Sequence, residues 1–188
     1  MAAPQLGARI SVIGNSGAGK STMARLLSAR LDMPRLELDA VNHQPNWTTL
    51  EPGEFRRRVR EFVARPRWVI DGNYTAVGAL DIIWERAETV IWLDLPRALV
   101  VSRVARRSLR RVLTGEQLWN GNRERLGELL SLDSERSIVA WAWVHFAGNR
   151  AKFERRCREP RWRHLQIIRL RSPAQVRAWL DSVGPLRS

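Results

Sequence analysis

Gly14-Asn15-Ser16-Gly17-Ala18-Gly19-Lys20-Ser21 reads G-x-x-x-x-G-K-[ST]. It follows a short apolar run, residues 9–13 (RISVI), and leads into residues 21–31 (STMARLLSARL), where Met23, Leu26, Leu27 and Leu31 recur at helical spacing. A glycine-rich turn between a buried strand and a helix has a specific physical use. The glycines let the backbone curl until successive N–H groups point inward, and the helix adds its partial positive charge at the same place. Such a loop cradles a polyphosphate. Gly14, Asn15, Ser16, Gly17, Ala18, Gly19, Lys20, Ser21 and Thr22 are therefore the expected nucleotide-binding set. Lys20 is placed to reach the β- and γ-phosphates, and the Ser21 hydroxyl to ligate Mg²⁺. ATP and Mg²⁺ are the expected cofactors.

Outward from this loop, the same grammar repeats. Residues 35–38, 68–70, 89–95 and 164–170 are short apolar runs that read as strands, and residues 54–64, 97–113, 137–146 and 173–182 read as helices between or after them. In residues 54–64, Phe55, Val59, Phe62 and Val63 make an apolar face opposite Arg56, Arg57 and Arg60. Short buried strands alternating with helices predict a three-layer α/β/α domain on a five-stranded parallel sheet. Ligands of such sheets bind beyond the carboxyl ends of the strands, so the polar residues that end them should converge on one crevice.

Asp71 ends the run Trp68-Val69-Ile70 and can hold Mg²⁺ beside Ser21, or simply make an Asp-Gly turn. Asp39 follows the second strand, where it can take or orient an acceptor's hydroxyl proton, or cap a helix. Asp94, next to Pro96, reads as structural. His43 and Trp47 lie in the loop 41–52 (VNHQPNWTTLEP), facing either an acceptor or the core.

The 188 residues correspond to one domain, with an acceptor region at about 40–65 and a lid at about 103–125. Cys157 is the only cysteine, which excludes a disulfide framework and a multi-cysteine zinc site. The longest apolar stretch, residues 138–148, is short of the ~20 residues that a membrane helix needs, and the N-terminal residues show no secretory signal pattern. A cytoplasmic protein with no membrane partner is the expectation.

Charge is the unusual quantity. The net value is +13, from 32 basic and 19 acidic residues, and 30 of the basic ones are Arg. Residues 103–125 and 150–163 each carry +5. Arg103, Arg106, Arg107, Arg110 and Arg111 are spaced to share one helical face, and Arg123 and Arg125 follow a GEQLWNGN stretch. With a phosphate loop in the chain, this pattern predicts an arginine-rich lid in which Arg107, Arg111 and Arg123 neutralise transferring charge. The alternative is a nucleic-acid-binding protein that uses ATP as a switch, and the charge alone predicts non-specific binding to nucleic acid at low salt.

GNSGAGKS, LELDAVNHQPNW, WVIDGNY, TVIWLDLPR, WNGNRE and IIRLRSP together resemble the adenylate-kinase-related P-loop kinases, and within them the bacterial DNA topology modulation proteins. The resemblance implies a nucleoside-monophosphate-kinase fold, an ATP-dependent phosphotransferase acting on a nucleotide, nucleoside or other small acceptor, and an adenine site formed partly by Arg107, Arg171, Ser172 and Pro173. One departure stands out. Adenylate kinases carry Gly-x-Pro-Arg after the third strand's acid, and that Arg grips the acceptor's phosphate, whereas this chain has Asp71-Gly72-Asn73-Tyr74. That argues against AMP as acceptor.

Overall fold

The computed structural model describes residues 6–123 and 137–184. Five strands form one parallel sheet in the order β2-β3-β1-β4-β5: β1 (Arg9–Gly14), β2 (Arg35–Glu37), β3 (Trp68–Asp71), β4 (Thr89–Leu93) and β5 (Gln166–Leu170). The helices are α1 (Lys20–Leu31), α2 (Leu38–Asn42), α3 (Pro52–Val63), α4 (Ala79–Trp84), α5 (Arg97–Thr114), α6 (Ile138–Cys157) and α7 (Pro173–Ser182). The expected three-layer α/β/α architecture is the one observed.

Side-chain alternation along the strands divides the core in two. Trp68 and Ile70 of β3 and Val90 and Trp92 of β4 pack on one face with Phe55, Val59, Leu80, Ile83 and Phe153. Val69, Ile91 and Leu93 pack on the other with Met23, Leu27 and Phe146. Both faces are covered, which is why these strands read as continuous apolar runs. In α3 the buried residues Phe55, Val59 and Val63 recur every four positions, while Glu51 caps the helix by accepting from the Glu54 amide at 2.8 Å.

Several expectations change. The second strand stops at Glu37, and Asp39 lies in the first turn of α2, neither ending the strand nor capping the helix. The one-turn helix α4 was not anticipated; its Leu80, Ile83 and Trp84 are fully buried, and six residues are too few to show a helical period. α6 continues past Phe146 to Cys157, because Phe153 also packs on the sheet. Asp94 keeps the structural part read from the sequence: it accepts from Arg150 and Arg169 at 3.0 Å. The arginines of α5 do not form one stripe. Arg103, Arg107 and Arg111 are half-buried beside the Val100, Val104 and Ser108 face, whereas Arg106 and Arg110 are exposed, and Arg110 pairs with Glu116 at 2.8 Å. Their arc is too wide for one environment. Arg125, with the end of the expected lid, lies outside the described residues. No helix among the described residues is long and apolar enough to cross a membrane.

Candidate active site

The loop between β1 and α1 is shaped by backbone conformations that side chains disfavour. Gly17 has φ +82°, and a Cβ there would lie 2.6 Å from the Val100 carbonyl oxygen and from Val104. Gly19, at φ +98°, caps α1 without a side-chain partner, so the first amides of the helix stay available to an anion. The Ala18 amide closes the turn on the Asn15 carbonyl at 3.1 Å. Lys20 folds over its own loop and donates to that same carbonyl at 3.2 Å. Burial pushes its ammonium below the ordinary value; Arg107 adds to this, and Asp39, Asp71 and Glu37 oppose it.

Asp71 pairs in register with Val12 of β1 and Glu37 of β2, which sets it beside the phosphate loop. The Ser21 hydroxyl lies close enough to its carboxylate to favour the ionised form. Arg35 lies 3.6 Å from Oδ1, yet that buried oxygen has no hydrogen-bond partner. Burial pushes the carboxyl up to about 6, against the influence of the nearby Ser21 hydroxyl and with the help of Glu37. A buried carboxylate with a spare oxygen, close to a loop serine, is a donor set that suits a hard divalent cation with its remaining waters.

Asp39 accepts the Tyr74 hydroxyl at 2.9 Å. Tyr74 packs on Phe55 with ring centroids 5.0 Å apart, so the contact fixes the carboxylate's direction. The Tyr74 hydroxyl is pushed above its ordinary value, by burial first and then by Asp39. Beneath it, Asn73 donates to the Gly14 carbonyl at 2.8 Å and accepts from the Gly14 amide at 3.3 Å.

On the other side of the loop lies a cavity of about 450 Å³. Its walls are Gly17, Ala18, Gly19 and Thr22 of the loop and α1, Arg103 and Arg107 of α5, and Pro173, Val176 and Leu180 of α7. Arg103 also reaches the Ala18 carbonyl at 3.5 Å. Arg171 and Ser172 do not line this cavity. Ser172 caps α7 by accepting from the Gln175 amide at 3.2 Å, and Arg171 borders a separate depression with Arg97, Arg150 and Arg169. Arg111 sits 3.7 Å from Glu116. Arg123 is exposed, and its carbonyl accepts from the Trp47 indole at 3.3 Å.

His43 and Trp47 belong to an interlock between the loop 41–52 and residues 119–123. The His43 ring stacks on Trp119 at 5.3 Å and meets Trp47 edge-on at 5.4 Å. Buried Asn122 accepts from the Trp47 amide at 2.9 Å and donates to the Gln44 carbonyl at 2.9 Å. Asn120 donates to the His43 carbonyl at 2.5 Å. Sequence reasoning missed Glu37, Arg35 and Asn122 as site residues, and took Asn73 and Tyr74 only as a departure from a motif. The position of Asn73 and Tyr74 directly after the third strand's acid was the available signal.

Comparison with known proteins agrees with this fold. The chain superposes on a shikimate kinase from Acinetobacter baumannii in complex with shikimate (TM-score 0.56, 18% identity, 94% of this chain and 90% of that one). A shikimate kinase from Bacteroides thetaiotaomicron gives 0.52 at 15% identity over 92% and 94% of the two chains. A sugar kinase from a Janibacter species gives 0.50 at 20% identity over 96% of each. No protein-family model and no curated protein matches the chain. The chain has the α/β fold of these P-loop small-molecule kinases.

Proposed function

We propose that this protein is an ATP-dependent phosphotransferase that moves the γ-phosphate of ATP to a small acceptor: a nucleotide, a nucleoside or another hydroxyl-bearing molecule. The observation that carries the reading is the position of buried Asp71, level with Val12 near the end of β1 and close enough to Lys20 to bear on its ammonium, beside a loop that Gly17 and Gly19 shape with positive φ. The amides of residues 15–21 would bind the β- and γ-phosphates, and Lys20 would exchange the Asn15 carbonyl for a phosphate oxygen. The 450 Å³ cavity would take the adenine, with Arg103 and Arg107 at the triphosphate end and Pro173 and Leu180 against the base. Asp39, aimed by Tyr74, would accept the acceptor's hydroxyl proton. Ser21 and Asp71 would hold Mg²⁺, which when bound neutralises phosphate charge. Arg107, with Arg111 and Arg123 farther along the expected lid, would add positive charge around the transferring group.

The motif resemblance to adenylate-kinase-related kinases, and the shikimate and sugar kinases that share the fold, support a small-molecule acceptor. The nucleic-acid reading gains nothing from the second basic window. Arg150 pairs with Asp94, Arg156 and Arg161 with Asp81, and Arg158 with Glu154, so acids interrupt the positive charge. ADP release by wild-type protein across an acceptor library, with Lys20→Ala as control, tests the proposal. Acceptor-dependent turnover lost in the variant supports it; equal turnover in both proteins overturns it.

A further inference from the structure

Three carboxylates gather beside the phosphate loop, in a chain whose net charge is +13. Glu37, Asp39 and Asp71 all lie close enough to Lys20 to bear on its ammonium, and Glu37 and Asp39 both bear on Tyr74. The third of these carboxylates, Asp71, is only 2% exposed and keeps a hydrogen-bond-free oxygen next to Ser21.

The nearby arginines are spent elsewhere. Arg35 is shared between Glu37 at 3.4 Å and Asp71 at 3.6 Å. In α3, Arg57 and Arg58 are held by Glu54 at 2.7 and 2.8 Å, and Arg56 donates to the Val77 carbonyl at 3.5 Å. Arg103 and Arg107 border the nucleotide cavity, on the other side of the phosphate loop. Thus Arg35, Arg57 and Arg58 are held by acids and Arg103 and Arg107 line the cavity across the loop, while Asp39 presents a Tyr74-oriented carboxylate where the acceptor would sit.

We infer that the acceptor is an uncharged or amine-bearing alcohol, and that the acidic rim formed by Glu37 and Asp39 rejects acceptors carrying phosphate or carboxylate near the reacting hydroxyl. The inference rests on the phosphotransferase reading and narrows it. In the step, the acceptor oxygen bonds to the γ-phosphorus, the bond from that phosphorus to the β,γ-bridging oxygen breaks, ADP leaves, and the hydroxyl proton passes to the Asp39 carboxylate. An anionic substituent would bring a further negative charge against Glu37, Asp39 and the triphosphate. At separations of roughly 6 Å in a partly hydrated site, each such repulsion lowers occupancy about ten- to a hundredfold.

The test is a set of matched pairs: nucleosides and their monophosphates, polyols and their phosphate esters, amino alcohols and the corresponding hydroxy acids. ADP release is followed for wild type, Lys20→Ala and Glu37→Gln. The expected result is Lys20-dependent turnover in which the anionic member of each pair has at least about tenfold lower kcat/KM, with that ratio narrowed in Glu37→Gln. Lys20-dependent turnover that is equal or faster with the anionic members, or a ratio unmoved in Glu37→Gln, overturns the inference and leaves the phosphotransferase standing. Bound ATP with no Lys20-dependent turnover on either class removes the phosphotransferase reading, and the inference falls with it.

Discussion

Asn73 and Gly14 are joined by two hydrogen bonds, one in each direction, that tie the segment after β3 to the first residue of the phosphate loop. The loop is thus braced from the acceptor side: the chain that supplies Asp71 and Tyr74 also holds Gly14 in place. Binding of a triphosphate by backbone amides depends on those amides being fixed before the ligand arrives, since every residue ordered on binding subtracts from affinity.

Asn73→Ala should therefore weaken ATP binding about five- to tenfold and destabilise the fold by about 1–2 kcal/mol, from the lost pair and an unpaired Gly14 carbonyl. Calorimetry with an ATP analogue and denaturant unfolding would measure the two effects.

The Asp71 carboxyl, pushed up to about 6 by burial, gives a pH dependence with a definite sign. Its folded-state value lies above the ordinary 3.8, so the folded protein binds this proton more tightly than the unfolded chain does. Ionised Asp71 therefore costs stability above about pH 6, and the cost disappears as pH falls through 6 toward 4. Without ligand, Asp71→Asn should be more stable than wild type at pH 8 by about 2 kcal/mol, and the two should converge near pH 4. Thermal unfolding across pH measures this, and the same variant should lose phosphotransfer.

Tyr74→Phe removes the donor that aims Asp39 and leaves the Phe55 packing in place. The expected effect is a fall in kcat of about tenfold with ATP affinity unchanged, against a loss of about a hundredfold or more for Asp39→Ala. Steady-state kinetics with a turned-over acceptor separates the two.

Asn122→Ala breaks the link from the Trp119–Gly121 turn to the loop bearing His43 and Trp47. The KM for the acceptor should rise several-fold more than the KM for ATP, because the loop continues from α2, which carries the proposed proton acceptor Asp39. A larger effect on ATP would place this interlock in the nucleotide site.

Much of this architecture was legible in the sequence. The phosphate loop and the strand runs are written locally, because buried parallel strands need apolar residues throughout and a phosphate cradle needs glycine. Asp71 was legible as the acid that ends an apolar run, whereas Asp39 lies two residues past the end of β2, inside α2. The pairing of Glu37 with Asp71 was not, because it depends on which strands become neighbours: β2 sits beside β3, and only that register brings the two acids level. Asn122 meets Gln44 and Trp47 across 78 and 75 residues of chain, a contact that no periodicity encodes. The arginine stripe failed for a geometric reason. Five residues spread over an arc of helix face different surroundings, and only Arg103 and Arg107 reach the cavity beside the loop.

The central claim is that the segment from Gly14 to Ser21 binds a nucleoside triphosphate. Titration of the folded protein with a non-hydrolysable ATP analogue and Mg²⁺ in a calorimeter tests it most directly. Saturable one-to-one binding at or below millimolar concentration, abolished or weakened more than tenfold by Lys20→Ala, is the expected result. No binding heat up to millimolar analogue, or equal binding by the Lys20→Ala protein, would contradict the account.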